Sequence, residues 1–288
     1  MSFSSEIKTK LAKNDSFCEN CDLFELAGFL GNSAKITKDS ITLVTENNDV
    51  ANKIKKIISN RYSKKISVTF NSNIYKIIIN DHEFALKILN DTAYLDEKIN
   101  IEDECCIGSY IRGAFLGGGS INNPQKSYHL EFDYKYPQQA EKIKNTLKRI
   151  GLGVKTAERK GHTVVYLKEY EAIAGILGII GAGGAAMEIY NVSAEKEIRN
   201  EINRQMNCEN ANMDKIASAY CKHMQAIEKI DSKIGLDKLP ESLKEAAEIR
   251  MKFPEDGLKD LGGKFKPPIG KSGVNHRLNR LIEIAESL

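Results

Sequence analysis

Phe24-Glu-Leu-Ala-Gly-Phe-Leu-Gly-Asn-Ser-Ala-Lys-Ile36 returns, in altered form, as Ser109-Tyr-Ile-Arg-Gly-Ala-Phe-Leu-Gly-Gly-Gly-Ser-Ile121. Each copy reads as a short apolar helix that carries small residues and runs out into a polar, serine- or glycine-bearing turn. Ala27, Gly28 and Gly31 in the first copy, and Gly113, Ala114 and Gly117 in the second, keep one helical face free of bulk. Two such faces let two backbones approach closely, so the pair is expected to form a seam, helix against helix. A single copy would equally suit an apolar helix closed by a glycine. The repetition is what points to an architecture.

The flanking chain repeats in the same order. Residues 35–45 alternate like a strand, and Val50, Ile54, Ile57 and Ile58 mark one face of a basic helix over 50–61. Residues 66–70 and 74–79 read as a hairpin through Asn71-Ser72-Asn73, followed by a helix over 81–95. In the second round Gly113 matches Gly28, Leu130 matches Leu43, Ala140–Lys144 matches Ala51–Lys55, and the strand from Thr163 matches that from Tyr75. Residues 12–97 and 102–190 are therefore one α+β unit, duplicated. The expected fold is a pseudo-dimer with two saddle-like antiparallel sheets over residues 1–190, followed by an all-α domain. A charged helix over 187–206, ended by Asn207-Cys-Glu-Asn-Ala-Asn212, makes residues 191–212 a linker and leaves 213–288 as the helical domain. At the very start, Ser4 or Ser5 is placed to cap a short helix.

With 41% hydrophobic residues among 288, the chain can build real cores. No apolar run approaches a membrane span, so a cytoplasmic protein is expected, with no membrane partner. The net charge of +3 says less than its distribution. Residues 53–65 carry six Lys/Arg and no acid, residues 135–168 nine against two, and residues 259–280 six against one. Clusters of this kind suit a polyanion, although a single lysine-rich run is more often a solvated face. Six cysteines stand at 18, 21, 105, 106, 208 and 221. Cys18-x-x-Cys21 invites a zinc reading, but a structural site needs a second ligand pair. The adjacent Cys105 and Cys106 do not easily turn both thiolates to one point, so reduced thiols with no metal and no cofactor are expected.

The sharpest chemical pattern lies at the end of the chain. Val274, Leu278, Leu281, Ile282 and Ala285 share one face of a helix over 272–286, with Ser272 as its expected cap. His276, Asn279, Arg280 and Glu283 lie opposite, flanked by Asn275 and Arg277. Arginine pairs bidentately with guanine and asparagine with adenine, which makes this the residue chemistry of a major-groove recognition helix. Lys264, Lys266 and Lys271, around the turn that carries Pro267 and Pro268, would sit near phosphates. A helix-turn-helix reading follows, with a turn longer than the usual three or four residues. A second DNA surface would come from Lys64 and Lys65 in one half of the repeat and Lys135, Arg159 and Lys160 in the other.

Leu26–Ala34 and Ile111–Gly119 resemble the nine-residue signature of the LAGLIDADG homing endonucleases. That resemblance implies a pseudo-dimer whose seam is made by these helices and whose sheets straddle duplex DNA, with an acid at the eighth signature position holding Mg²⁺. Here the eighth positions are Ser33 and Gly118, neither of which ligates a cation as a carboxylate does. Asp39 and Asp133 are displaced from the signature. A second resemblance spans the whole chain. Ser2–Lys8, Arg112–Ile121, Asn207–Asn212 and Pro267–Leu278 together are similar to the WhiA family of bacterial DNA-binding regulators, an inactive LAGLIDADG domain joined to a C-terminal helix-turn-helix. The resemblance implies a non-enzymatic, sequence-specific regulator acting on double-stranded DNA at the nucleoid, with roles in cell division, chromosome segregation and, in spore formers, sporulation. Other transcription factors or RNA polymerase are the further partners it suggests. Two alternatives stand beside it: a divergent Mg²⁺-dependent endonuclease, and a protein-docking platform tethered to DNA by the C-terminal domain.

Overall fold

The structure, a computed structural model, describes residues 2–15 and 17–288. It divides into two compact units, one up to Lys196 and one from Glu197 to Leu288. The first unit opens with α1 (Phe3–Leu11), capped by Ser2, whose hydroxyl accepts the Ser5 amide at 3.2 Å. Ser4 and Ser5, the expected caps, already lie inside the first turn. Only the residue still in extended conformation can aim its hydroxyl back at those amides.

Two equivalent halves follow. The first runs α2 (Cys21–Ser33), β1 (Ala34–Ile36), β2 (Ile41–Thr45), α3 (Asn48–Tyr62), β3 (Val68–Asn71), β4 (Ile74–Ile79) and α4 (His82–Asp91). The second runs α5 (Glu104–Gly118), β5 (Gly119–Ile121), β6 (Leu130–Tyr134), α6 (Pro137–Arg149), β7 (Lys155–Arg159), β8 (His162–Leu167) and α7 (Tyr170–Ile179). Each half builds one four-stranded antiparallel sheet, ordered β1-β2-β4-β3 and β5-β6-β8-β7. The fold is thus α+β, a duplicated LAGLIDADG-like domain followed by helices. Ala34 pairs with Leu43 and Gly119 with Phe132, so Phe132, not Leu130, is the counterpart of Leu43. A slip of two residues preserves which face of a strand is apolar, so the alternation alone does not reveal it.

One continuous core fills this unit. Leu26, Phe29 and Leu30 of α2 meet Ile111, Phe115 and Leu116 of α5, under the inward strand residues Leu43, Ile77, Phe132 and Val165. The seam itself is a backbone contact. A Cβ on Gly28 would lie 2.0 Å from the Tyr110 carbonyl oxygen, and one on Gly113 would lie 1.9 Å from that of Glu25. Tyr110 follows Glu25 by the same 85 positions (110 − 25) that separate Gly113 from Gly28 (113 − 28), the reciprocal pattern of an isologous interface. Ala27 and Ala114 are buried, and Gly117 meets the Asn32 side chain and the Phe29 carbonyl. Gly31 is different: it faces Tyr134 and Gln139 at ordinary distances and takes no part in the backbone contact.

α8 (Gly183–Lys233) runs unbroken through Asn207–Asn212, the stretch expected to end a linker. Those residues include no proline or glycine, and asparagine is only mildly unfavourable within a helix. Residues 197–215 are exposed throughout. The second unit then packs the end of α8 with α9 (Glu241–Lys252), α10 (Leu258–Gly262) and α11 (Lys271–Ser287). Its core joins Ile227, Ile230, Leu243, Ala247, Leu261, Phe265, Val274, Leu278 and Leu281. Among the described residues no helix is long and apolar enough to cross a membrane.

Candidate nucleic-acid interface

α11 packs on both α9 and α10 through Val274, Leu278, Leu281 and Ala285. Ile282, expected on that face, is half-buried at its margin. The long turn between α10 and α11 is closed by the Ile269 amide, which donates to the Gly262 carbonyl at 3.0 Å. Gly262 is required there, since a Cβ would come within 2.3 Å of the Ile269 oxygen. Gly270 occupies the position before α11, so Ser272 lies within the first turn and does not cap it. That turn's amides have no acceptor within their own helix, and a helix start of this kind favours phosphate.

The opposite face of α11 is open. Lys271, Ser272, Asn275, His276, Asn279 and Arg280 are exposed, with Arg280 held at 2.6 Å from Glu283 one turn on. Arg277 departs from expectation. Its guanidinium lies over the Phe265 ring at 5.0 Å and within 3.5 Å of a Glu245 carboxylate oxygen, tying α11 to α9. The same carboxylate accepts the Lys266 amide at 3.2 Å. Lys264 is exposed but stacks over Phe253, 3.9 Å from Asp256, while the Lys266 and Lys271 side chains face solvent.

Behind this face lies Arg250, a residue that sequence reasoning missed. It is 1% exposed, donates to the carbonyls of Asp256, Phe253 and Ile216, and sits over the Tyr220 ring. It thereby fixes the loop ahead of α10 onto α8. Burial and then the Arg250 charge push the nearby His223 down to about 4, so this buried imidazole is neutral at ordinary pH.

In the first unit the two eighth signature positions are closed to metal chemistry. Ser33 is buried and donates to its own helix at the Phe29 carbonyl, 2.5 Å away. At Gly118 a Cβ would fall 2.6 Å from the Asn32 side chain, whose amide bonds the Ala114 carbonyl across the seam. Asp39 lies 3.6 Å from His82, and Asp133 accepts from His162 at 2.9 Å on the outer face of β6. Of the residues expected to form a second DNA surface, two are paired with acids. Lys64 pairs with Asp81 and Arg159 with Glu131, at 3.2 and 3.3 Å. Lys64 and Lys65 precede β3, whereas Arg159 ends β7 and Lys160 opens the turn after it, so the two groups are not equivalent in the repeat. Lys135 extends from the end of β6 over the Tyr136 ring. The outer face of the first sheet carries Thr42, Val44, Lys76 and Ile78, and that of the second carries Glu131 and Asp133, both paired within the sheet.

Residues 202–285 match the WhiA C-terminal HTH domain, and residues 107–199 match the WhiA LAGLIDADG-like domain. A "Probable cell division protein WhiA" from Clostridium novyi is 37% identical over 313 residues, covering 100% of this chain and 98% of that one. The chain belongs to the WhiA family. A protein of the same description from Alkaliphilus metalliredigens is 36% identical, covering 99% of this chain and 98% of its own length. The crystal structure of full-length DUF199/WhiA from Thermatoga maritima aligns at a TM-score of 0.62 and 26% identity, over 100% of this chain and 99% of that chain.

Two clusters in this WhiA-family chain differ from the sequence reading, one missed by it and one set aside. Glu25 is wholly buried at the seam. Arg112 donates to its Oε2 from Nε and Nη2 at 2.9 and 2.6 Å, and the Lys53 ammonium stands 3.4 Å from Oε1. The second cluster corrects the expectation that Cys105 and Cys106 do not easily turn both thiols to one point. The Sγ atoms of Cys18, Cys21, Cys105 and Cys106 all lie within 4.8 Å of one another. Helical Cα–Cβ bonds tilt toward the N-terminus, so two adjacent residues in the first turn of α5 both reach a point beyond its end. Burial raises Cys21, but hydrogen bonds from Ser109, Cys18 and Cys105 outweigh it and bring that thiol down to about 7. Contacts with Cys18 and Cys21 push Cys105 up to about 11, and burial raises Cys106.

Proposed function

We propose that this chain is a non-enzymatic, sequence-specific DNA-binding regulator of transcription. The carrying observation is α11: one face is locked in the helical core, and the other exposes Asn275, His276, Asn279 and Arg280 beside a basic turn. Asn275, His276 and Arg280 read base edges in the major groove, while Lys264, Lys266, Lys271, Ser272 and the first-turn amides of α11 hold phosphates. Arg277, tied to Glu245 and Phe265, sets the pose of the helix and does not read bases. The match to a helix-turn-helix family supports this reading, and Ser33 and Gly118 in the acid positions speak against the endonuclease alternative. By kinship with proteins described as cell division proteins, the regulated process is cell division, carried out in the cytoplasm at the nucleoid; the family resemblance extends this to chromosome segregation and, in spore formers, sporulation. The pairing of Lys64 and Arg159 with acids and the exposed Val44 and Ile78 favour the first unit as a docking surface for other transcription factors or RNA polymerase over a second DNA surface.

The test starts from sites recovered by genome-wide mapping. Replacing Asn275 and Arg280 by alanine costs about 1–3 kcal/mol for each base contact and relaxes specificity. Replacing Lys266 or Lys271 lowers affinity equally across sequences and flattens the salt dependence by about one phosphate each. Unchanged affinity and specificity in the Asn275→Ala, Arg280→Ala chain rejects α11 as the reading helix. Cutting of supercoiled plasmid that needs Mg²⁺ and stops with chelator restores the endonuclease alternative.

A further inference from the structure

The geometry points to a zinc ion bound by Cys18, Cys21, Cys105 and Cys106, joining the two halves of the duplicated domain where their seam helices begin. Tetrahedral zinc holds thiolates at about 2.3 Å, which sets the sulfur–sulfur edges near ~3.8 Å. The Cys18 sulfur stands 3.4, 3.5 and 3.7 Å from those of Cys21, Cys106 and Cys105, and no pair among the four exceeds 4.8 Å. Such compact spacing suits one ion shared by all four sulfurs. In an iron–sulfur cluster the thiolates are spread over several irons.

The surroundings are those of a structural site. Cys21 is the first residue of α2, and Cys105 and Cys106 lie in the first turn of α5, so two helix N-termini face the thiolates and favour their negative charge. Ser109 bonds the Cys21 sulfur and itself accepts from Arg112 at 3.4 Å, which connects the cluster to the buried Glu25 pair. Cys21 and Cys106 are equivalents in the repeat, since 106 − 21 is the same 85 that separates the seam glycines. Both are buried, while Cys18 and Cys105 are half-buried at the rim, with all ligand positions supplied by protein and none open for catalysis. Zinc binding here releases thiol protons and closes a loop of more than eighty residues. It couples metal affinity to the folding of the seam.

Metal analysis of the full chain, purified without chelator, is expected to give one zinc per chain. Cys18→Ser and Cys105→Ser should each lose most of it, while Cys208→Ser and Cys221→Ser, at exposed positions outside the cluster, should keep it. A measurement free of the folding of any variant is cobalt replacement in the wild-type chain. One equivalent of Co²⁺ should give the intense visible bands and sulfur-to-metal charge transfer of a tetrahedral thiolate site, and zinc should erase them. Stripping the metal should lower the thermal midpoint, and added zinc should restore it. The inference is overturned by a chain that holds iron, by one whose six thiols titrate freely without metal, by a disulfide within the cluster, or by a zinc content that Cys18→Ser leaves unchanged.

Discussion

Gly28 and Gly31 lie on the same helix, three residues apart, and the structure sets opposite outcomes for the same substitution. At Gly28 an added Cβ is 2.0 Å from the Tyr110 oxygen and 2.7 Å from the Ala114 nitrogen, both backbone atoms. Carbon–oxygen contacts are ordinarily no closer than about 3.3 Å, so α2 and α5 must part by more than ~1 Å. A gap of that size forfeits a quarter to a half of the dispersion attraction across the seam, where Phe29, Leu30, Ile111 and Phe115 are fully buried. Replacing a helical glycine by alanine returns at most about 1 kcal/mol. The net cost of Gly28→Ala is therefore about 3 kcal/mol or more, the upper end of overpacking. At Gly31 the nearest atom is Tyr134 Cε1 at 3.4 Å, an ordinary contact, and no backbone stands in the way. Gly31→Ala is expected to be neutral or to stabilise by up to about 1 kcal/mol. The chain has no tryptophan, so urea unfolding is followed by far-ultraviolet circular dichroism. With m of about 1–3 kcal/mol/M, the two variants should differ in midpoint by roughly 1 M or more. If they unfold within about 1 kcal/mol of each other, the seam is not the backbone-on-backbone contact described.

Two further outcomes follow from buried charge. Arg112→Met leaves Glu25 with only Lys53, at 3.4 Å, as a charged partner among the described residues and should destabilise by about 3–5 kcal/mol, whereas Glu25→Leu combined with Arg112→Met should recover most of that loss, as thermal unfolding of the three chains would show. His223, held near 4 by burial and by Arg250, takes up a proton more readily once unfolded, where its value returns to about 6.5. The unfolded chain thus binds more protons across this window. The stability His223 confers is complete above about pH 6.5 and falls as pH drops toward about 4, by roughly 1–3 kcal/mol. In His223→Leu that share of the slope should vanish. An identical pH profile in both chains counts against a neutral buried imidazole.

Much of the architecture is legible in the chain because its causes are local. The alternation of β2 and β4, the apolar face of α3 and the glycines of α2 and α5 each follow from a period of a few residues, and their recurrence some ninety residues later exposes the duplication. The open face of α11 is legible for the same reason. The cap of α1, the two-residue shift that makes Phe132 the repeat counterpart of Leu43 and the continuity of α8 through Asn207–Asn212 were misread. In each of these, neighbouring positions differ little in local preference, and long-range pairing or the position of the first helical residue decides.

By itself, the sequence determined that helices with small-residue faces would occur twice, that each would be followed by sheet-forming strands, and that a final amphipathic helix would present Asn275, His276, Asn279 and Arg280 to solvent. Tertiary structure alone decided which polar groups meet. It withdrew Arg277 from the reading face by placing Glu245 and Phe265 beneath it, enclosed Glu25 between Arg112 and Lys53, and drew Cys18 and Cys21 to Cys105 and Cys106. These partners lie from 12 to 88 positions apart (Phe265 to Arg277, Cys18 to Cys106), far beyond any helical or strand period. Periodicity reports which face of an element is buried. Which charges or sulfurs share that burial depends on the crossing of elements, and here the close approach of α2 and α5 brings them together.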